Sequence, residues 1–230
     1  TAGAYIFLAL TRNGNGLPIL PRPPGIQLLC SNELAGLWNR LGSPTSVEIF
    51  GKGPSCKRPQ NRESVVMIAI NDTLRCLPED ARRIFLFNDM EALDRMLMES
   101  PGSFKGVELI VCPWHPHVQE GWYMANMSQV VDKLRGLYEG PILVHNLHTS
   151  YPDTRFASFP HPWNSAVVAA HLVASCFPLS THVVSYGIGK SVGVNADESF
   201  STNFPEDCVD RLAGDMRGIF AAKGIVYDLR

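Results

Sequence analysis

The chain predicts an α/β fold, a three-layer α/β/α sandwich around a mostly parallel, doubly wound sheet. Three observations carry that expectation. Short apolar runs rich in Val, Ile and Phe alternate with amphipathic segments, the pattern of strands linked by helices. One run, 65–70 (VVMIAI), is apolar throughout, as a strand covered on both faces must be. The 230 residues, 45% hydrophobic and 18% charged, suffice for one sizeable core. A single domain over 1–230 follows, with 45–228 as its core and 1–44 as an arm and helix whose packing the sequence leaves open.

Taken in order, 5–10 has the composition of a strand and is too short for a signal peptide or a membrane span. Residues 12–25, rich in Gly, Pro and Asn, read as a long loop. Ser31 stands as N-cap to a helix with Leu34, Leu37, Trp38 and Leu41 at helical spacing, ended by Gly42. A strand at 47–50 runs into the turn Gly51-Lys52-Gly53-Pro54-Ser55. The strand 65–70 ends on Asn71, and 72–77 is a short helix stopped by Pro78. The strand 83–87 (RIFLF) ends on Asn88 and Asp89, and Asp89 caps a helix over 90–98. A strand at 107–112, an aromatic and histidine-rich loop at 113–123, an amphipathic helix at 128–138 and a strand at 141–144 follow. The loop 146–162, an apolar helix at 166–174, a strand at 181–186, a helix at 207–222 and a strand at 225–227 complete the chain.

Composition narrows the function. A net charge of −2 argues against gripping nucleic acid by bulk electrostatics, though not against a local basic groove. Lys52, Lys57, Arg58 and Arg62 form such a local cluster beside the glycine turn, suited to donor phosphates or simply to solvent. Six cysteines are scattered without C-x-x-C spacing, which points to a reducing, cytoplasmic compartment and no zinc site. There is no D-x-D magnesium handle and no H-E-x-x-H, so no metal is expected. The chain starts at Thr1 rather than Met, which leaves room for residues before it.

Ligands of open α/β sheets sit at the carboxyl ends of the strands. Three strands here end on the Gly51–Ser55 turn, on Asn71 and on Asn88. A glycine turn cradles a phosphate or simply lets a strand exit, and an Asn binds a ligand or caps a turn. Histidines crowd the same edge: His115 and His117, then His145 and His148 after the strand 141–144, then His161 before the apolar helix. A histidine of near-neutral pKa is suited to take a proton from an acceptor hydroxyl, and His145, His148 and His161 are the catalytic candidates. Trp114, Trp122, Tyr123, Tyr151 and Trp163 on these loops offer faces for a sugar or a base.

In this order the motifs resemble the nucleotide-binding half of bacterial sialyltransferases, and equally the related DUF115-type proteins that share the G-x-G-P-S turn. Those sialyltransferases follow with an Arg-x-[Ser/Thr]-Ser-Gly segment opening an apolar helix, matched here by 161–166 (HPWNSA), and a strand ending in Gly-x-Asp, matched by 183–189 (VVSYGIG). The resemblance implies that Gly51, Gly53, Pro54, Ser55, Asn71 and Asn88 bind a nucleotide-sugar donor, with Lys52 in the same turn. It implies that Asn164 and Ser165 meet the donor's phosphate or sugar at a helix N-terminus. His161 stands where the family has Arg, Gly189 stands where it has a carboxylate, and no histidine follows His182. The expectation is a Rossmann-like, metal-independent glycosyltransferase without a membrane segment, compatible with a homo-oligomer. Its acceptor would be a glycan, a small molecule or a modified DNA base. The alternatives are a DUF115-like pyrophosphokinase, which needs ATP and magnesium, and a nucleotide-binding protein without catalysis.

Overall fold

The computed structural model describes residues 27–29, 31–53, 64–88, 90–114, 127–147, 156–188 and 206–230. It has the expected three layers. The strands are β1 (Gln27–Leu29), β2 (Ser46–Phe50), β3 (Val65–Ile70), β4 (Arg82–Leu86), β5 (Val107–Trp114), β6 (Pro141–Asn146), β7 (Ala157–Ser158), β8 (His182–Tyr186) and β9 (Val226–Leu229). They form one sheet in the order β1-β6-β5-β4-β3-β2-β8-β9, with β7 beside the end of β6, and every pair is parallel.

Alternation within each strand sends side chains to two cores. On one face Val47, Ile49, Val66, Ile68, Ile84 and Leu86 pack with the helices α1 (Leu37–Arg40), α4 (Ser165–Cys176) and α5 (Glu206–Lys223). On the other, Met67, Ala69, Phe85, Phe87 and Val144 pack with α2 (Met90–Glu99) and α3 (Met127–Leu134). β3 is central, and all of its residues are buried, as the unbroken VVMIAI run requires. The apolar α4 is covered by the sheet and by α5, which explains why it lacks a polar stripe.

Some elements differ from the sequence expectation. The helix expected from Ser31 to Leu41 is a 3-10 turn, Ser31–Gly36, followed by the four-residue α1. The segment after β3 is likewise a 3-10 turn, Asn71–Cys76. β1 was not expected, and its three residues carry no periodic signal. The loop expected at 146–162 contains β7, which pairs with β6 through His145 and Asn146. The proposed strand at 5–10 and the loop at 12–25 lie outside the described residues.

The largest fully buried side chain in the sheet is an arginine, Arg83 on β4. Its guanidinium donates to the backbone carbonyls of Ser103 at 3.3 Å and Glu79 at 3.1 Å, and also to that of Lys105. Burial lowers its pKa, while Glu79 and then Asp80 pull the other way. Arg83 therefore acts as an internal peg, joining β4 to the 3-10 turn Pro101–Phe104 that leads into β5.

Candidate functional site at the carboxyl edge of the sheet

Because every strand runs the same way, all carboxyl ends share one edge. The connections after β3, β4 and β5 lie on the α2/α3 face, and those after β7 and β8 lie on the α4/α5 face. The winding thus reverses between β2 and β8, where such sheets open a ligand crevice.

The glycine turn sits at this reversal. The Gly51 N–H donates to the Tyr186 carbonyl and the Gly53 N–H to the Gly187 carbonyl, each at 2.8 Å. A Cβ on Gly51 or Gly53 would lie 2.6 or 2.7 Å from the Gly187 carbonyl oxygen. The glycines are there so that two backbones can touch, and these two N–H groups bind β8's exit rather than standing open to a phosphate. Pro54 and Ser55 lie outside the described residues.

Between the glycines, Lys52 donates to Asp72 at 2.9 Å. Asp72 is only 1% exposed, and Arg95 and Arg75 approach the same carboxylate oxygen at 3.4 and 3.9 Å. Arg75 also pairs with Glu99. This buried acid ties the turn, the 3-10 segment after β3 and α2 together, so Lys52 is held in place by the protein itself. Sequence reasoning missed the network because no spacing rule connects Lys52, Asp72 and Arg95. The available signal was an acid directly after the central strand.

Asn71 and Asn88 end the neighbouring strands β3 and β4, whose ends are in register at Ile70 and Leu86. Asn71 adopts a left-handed backbone, φ 56°. Asn tolerates that region better than most residues, and such outliers gather at functional sites. The Oδ1 atoms of both Asn71 and Asn88 are buried without a hydrogen-bond partner among the described residues. An orphaned buried acceptor costs about 1–3 kcal/mol, and two such acceptors stand at the carboxyl ends of the adjacent strands β3 and β4.

Asn164 is the N-cap of α4, its side chain accepting the Ala166 N–H at 2.8 Å. Ser165 is buried in the first turn. Since α4 leads from the carboxyl edge back to the start of β8 and packs over β2 and β3, its positive end overlies this same edge. Gly51–Gly53, Asn71 and Asn88 thus follow the carboxyl ends of the adjacent strands β2, β3 and β4, and Asn164 and Ser165 open the helix that packs over β2 and β3.

His145 is not gathered with them. His145, expected in a loop after the strand, lies inside β6 and is fully buried. Its ring stands 5.8 Å from Phe159, and neither nitrogen has a hydrogen-bond partner among the described residues. Burial lowers its pKa to about 4, with the Asn146 backbone opposing. β4 and β5 separate β6 from β3, so His145 is a neutral core ring remote from Asn71. His148, His115 and His117 lie outside the described residues. His161 is exposed, with φ 48°, and lines a groove between α4 and α5.

The His145 shift has a measurable consequence. The unfolded chain takes up this proton near the ordinary 6.5, the folded chain only near 4. The resulting stability is whole above pH 6.5 and is lost as the pH falls from 6.5 to 4, by about 3 kcal/mol in all. Urea unfolding at pH 7.5 and 4.5 should show this decline, and His145→Leu should remove most of it. An unchanged decline in the variant would contradict the assignment.

Among the described residues no group of three His, Cys, Asp or Glu side chains converges as a metal site, and no helix is long and apolar enough to cross a membrane. A scan of protein-family models and searches of curated proteins and of solved structures each returned no match to this chain.

Proposed function

We propose that the chain is a metal-independent glycosyltransferase whose nucleotide-sugar donor lies along the carboxyl edge of β2, β3 and β4. The observation that carries this reading is the pair of buried, unpartnered amide oxygens of Asn71 and Asn88 at adjoining strand ends. They suit ribose hydroxyls or a base amino group, which are donors. The first-turn N–H groups of α4 suit the donor's phosphate. The resemblance to bacterial sialyltransferases points to the same residues.

In the reaction the acceptor oxygen attacks the anomeric carbon, the bond from that carbon to the phosphate oxygen breaks, and the nucleotide leaves. The acceptor proton passes to a histidine. His145, buried and with its pKa near 4, is not suited to that task at neutral pH. His148 and His161 are the remaining candidates for the role in this reading. A glycan, a small molecule or a DNA base is the acceptor class. The pyrophosphokinase reading is not favoured, because one oxygen of Asp72, one of its two strand-end carboxylates, is already paired with Lys52 and approached by Arg75 and Arg95.

Calorimetric titration with a panel of nucleotides and nucleotide sugars, with and without magnesium, tests the proposal. Binding without magnesium is expected, weakened about tenfold by Asn71→Ala or Asn88→Ala, as loss of one hydrogen bond worth about 1.4 kcal/mol implies. Absence of binding to every member would overturn it. Binding without any donor hydrolysis would leave a nucleotide-binding protein, and binding only with magnesium would favour the kinase.

A further inference from the structure

On the outer side of the sandwich, α4 and α5 lie side by side and leave an open groove of about 670 Å³. That volume is in the range of small-molecule sites. Its floor is apolar, with Val167 and Ile219 among the lining residues. One end carries His161, His171 and Arg211, together with Asp215.

Several independent features suggest an occupant. Gly214 and Gly218 stand within α5, and a Cβ on either would meet nothing within 4 Å. Glycine weakens a helix relative to alanine, and here no packing within the described chain calls for it. The two glycines keep open a space that alanine would narrow. His161 enters the groove from a left-handed backbone, φ 48°, which an L-residue adopts only when its surroundings hold it there.

The polar end offers hydrogen-bond donors. Asp215 already accepts the Trp163 indole N–H at 2.9 Å. Arg211 lies 4.7 Å over the Trp163 ring and 3.8 Å from Asp215. Neither contact is a hydrogen bond, so the guanidinium fork keeps donors for a ligand. His171 stacks on Phe159 at 6.0 Å. Its pKa is lowered, first by burial, opposed by the Pro160 backbone, then by His161, with Asp215 opposing again. Arg211, with no hydrogen bond among the described residues, is thus the cationic donor at this end, and the two imidazoles add ring N–H groups beside a carboxylate that is already engaged.

We propose that this groove binds a small anionic molecule with a planar apolar body, its carboxylate or phosphate held by Arg211, His161 and His171. The body lies along the bare glycine face of α5 towards Ala222. The site does not depend on the donor site at the strand edge.

The test is a titration of the full ¹⁵N-labelled chain, read at the Trp163 indole N–H and the Gly214 and Gly218 amides. The probes are phenyl phosphate and indole-3-acetate, each against its neutral counterpart, phenol and indole-3-acetamide. At least one anion should shift these resonances to saturation, with the matching neutral compound at least tenfold weaker. The tighter anion tells whether phosphate or carboxylate is the group held. Arg211→Gln should weaken binding tenfold or more. Gly218→Leu, which raises helix propensity while filling the groove, should abolish it and leave nucleotide titration at Asn71 unchanged. No shift with either anion, equal affinity for the neutral compounds, or undiminished binding in Gly218→Leu would each overturn the proposal.

Discussion

Arg83→Ala is expected to destabilise the protein by about 2–5 kcal/mol, the range for truncating a large fully buried side chain, and to lower the urea midpoint accordingly. The side chain is fully buried, and its loss strands the carbonyls of Ser103, Glu79 and Lys105 at once. Its neighbour supplies the control. Arg82 makes a two-pronged pair with Glu108 at 3.0 and 3.3 Å, but both side chains are partly exposed. Arg82→Ala should therefore cost no more than about 1 kcal/mol. Equal losses for the two variants would refute the idea that the Arg83 contacts to backbone hold β4 to the turn before β5.

Gly51→Ala is the second large effect. The added methyl would sit 2.6 Å from the Gly187 carbonyl oxygen and 3.0 Å from Ile188 Cγ1, and the first of these is backbone that cannot swing aside. Overpacking of this kind costs about 1–3 kcal/mol. It should also push the glycine turn off β8, weakening nucleotide binding beyond what the stability loss explains. Gly36→Ala is the matched control. Its φ of −89° is ordinary, and a Cβ there meets nothing within 4 Å. Circular dichroism melts together with nucleotide titration of the two variants separate backbone contact from a generic response to losing a glycine.

The sheet was legible in the sequence because its strands are rich in Val, Ile, Leu and Phe, and the central one, 65–70, is apolar without interruption. β1 and β7 were not, since three and two residues are too few to show a period. The apolar run ends at Val144, so the sequence sets the strand end one residue short of His145, whereas β6 runs on through Asn146. Within β6 the His145 ring is neutral and behaves as an aromatic packing element beside Phe159. Asn71 and Asn88 were legible as strand terminators, but their unpartnered oxygens are a property of the packed edge alone. The α4/α5 groove brings His161 to Arg211 across fifty residues of sequence, which no local pattern encodes. The glycine pair at 214 and 218, four apart inside an otherwise regular helical segment, was the one trace of it.

β2 has one neighbour close in sequence, β3, and one very distant, β8; Ser46 and His182, which bond across that junction, are 136 positions apart. Closing so long a loop is entropically costly and contributes nothing until the far strand arrives, so chains with such pairings fold slowly. Early folding can assemble β2 to β6 through short-range steps, each strand adding to the last. The Gly51–Gly53 turn gains its carbonyl partners at Tyr186 and Gly187 only when β8 docks. The contact between the glycine turn and β8 is therefore assembled late, and a partly folded chain presents the ends of β3 and β4 before β8 has docked on β2. A ligand that requires the docked turn would bind the completed fold alone, and so draw the equilibrium away from its half-assembled precursors.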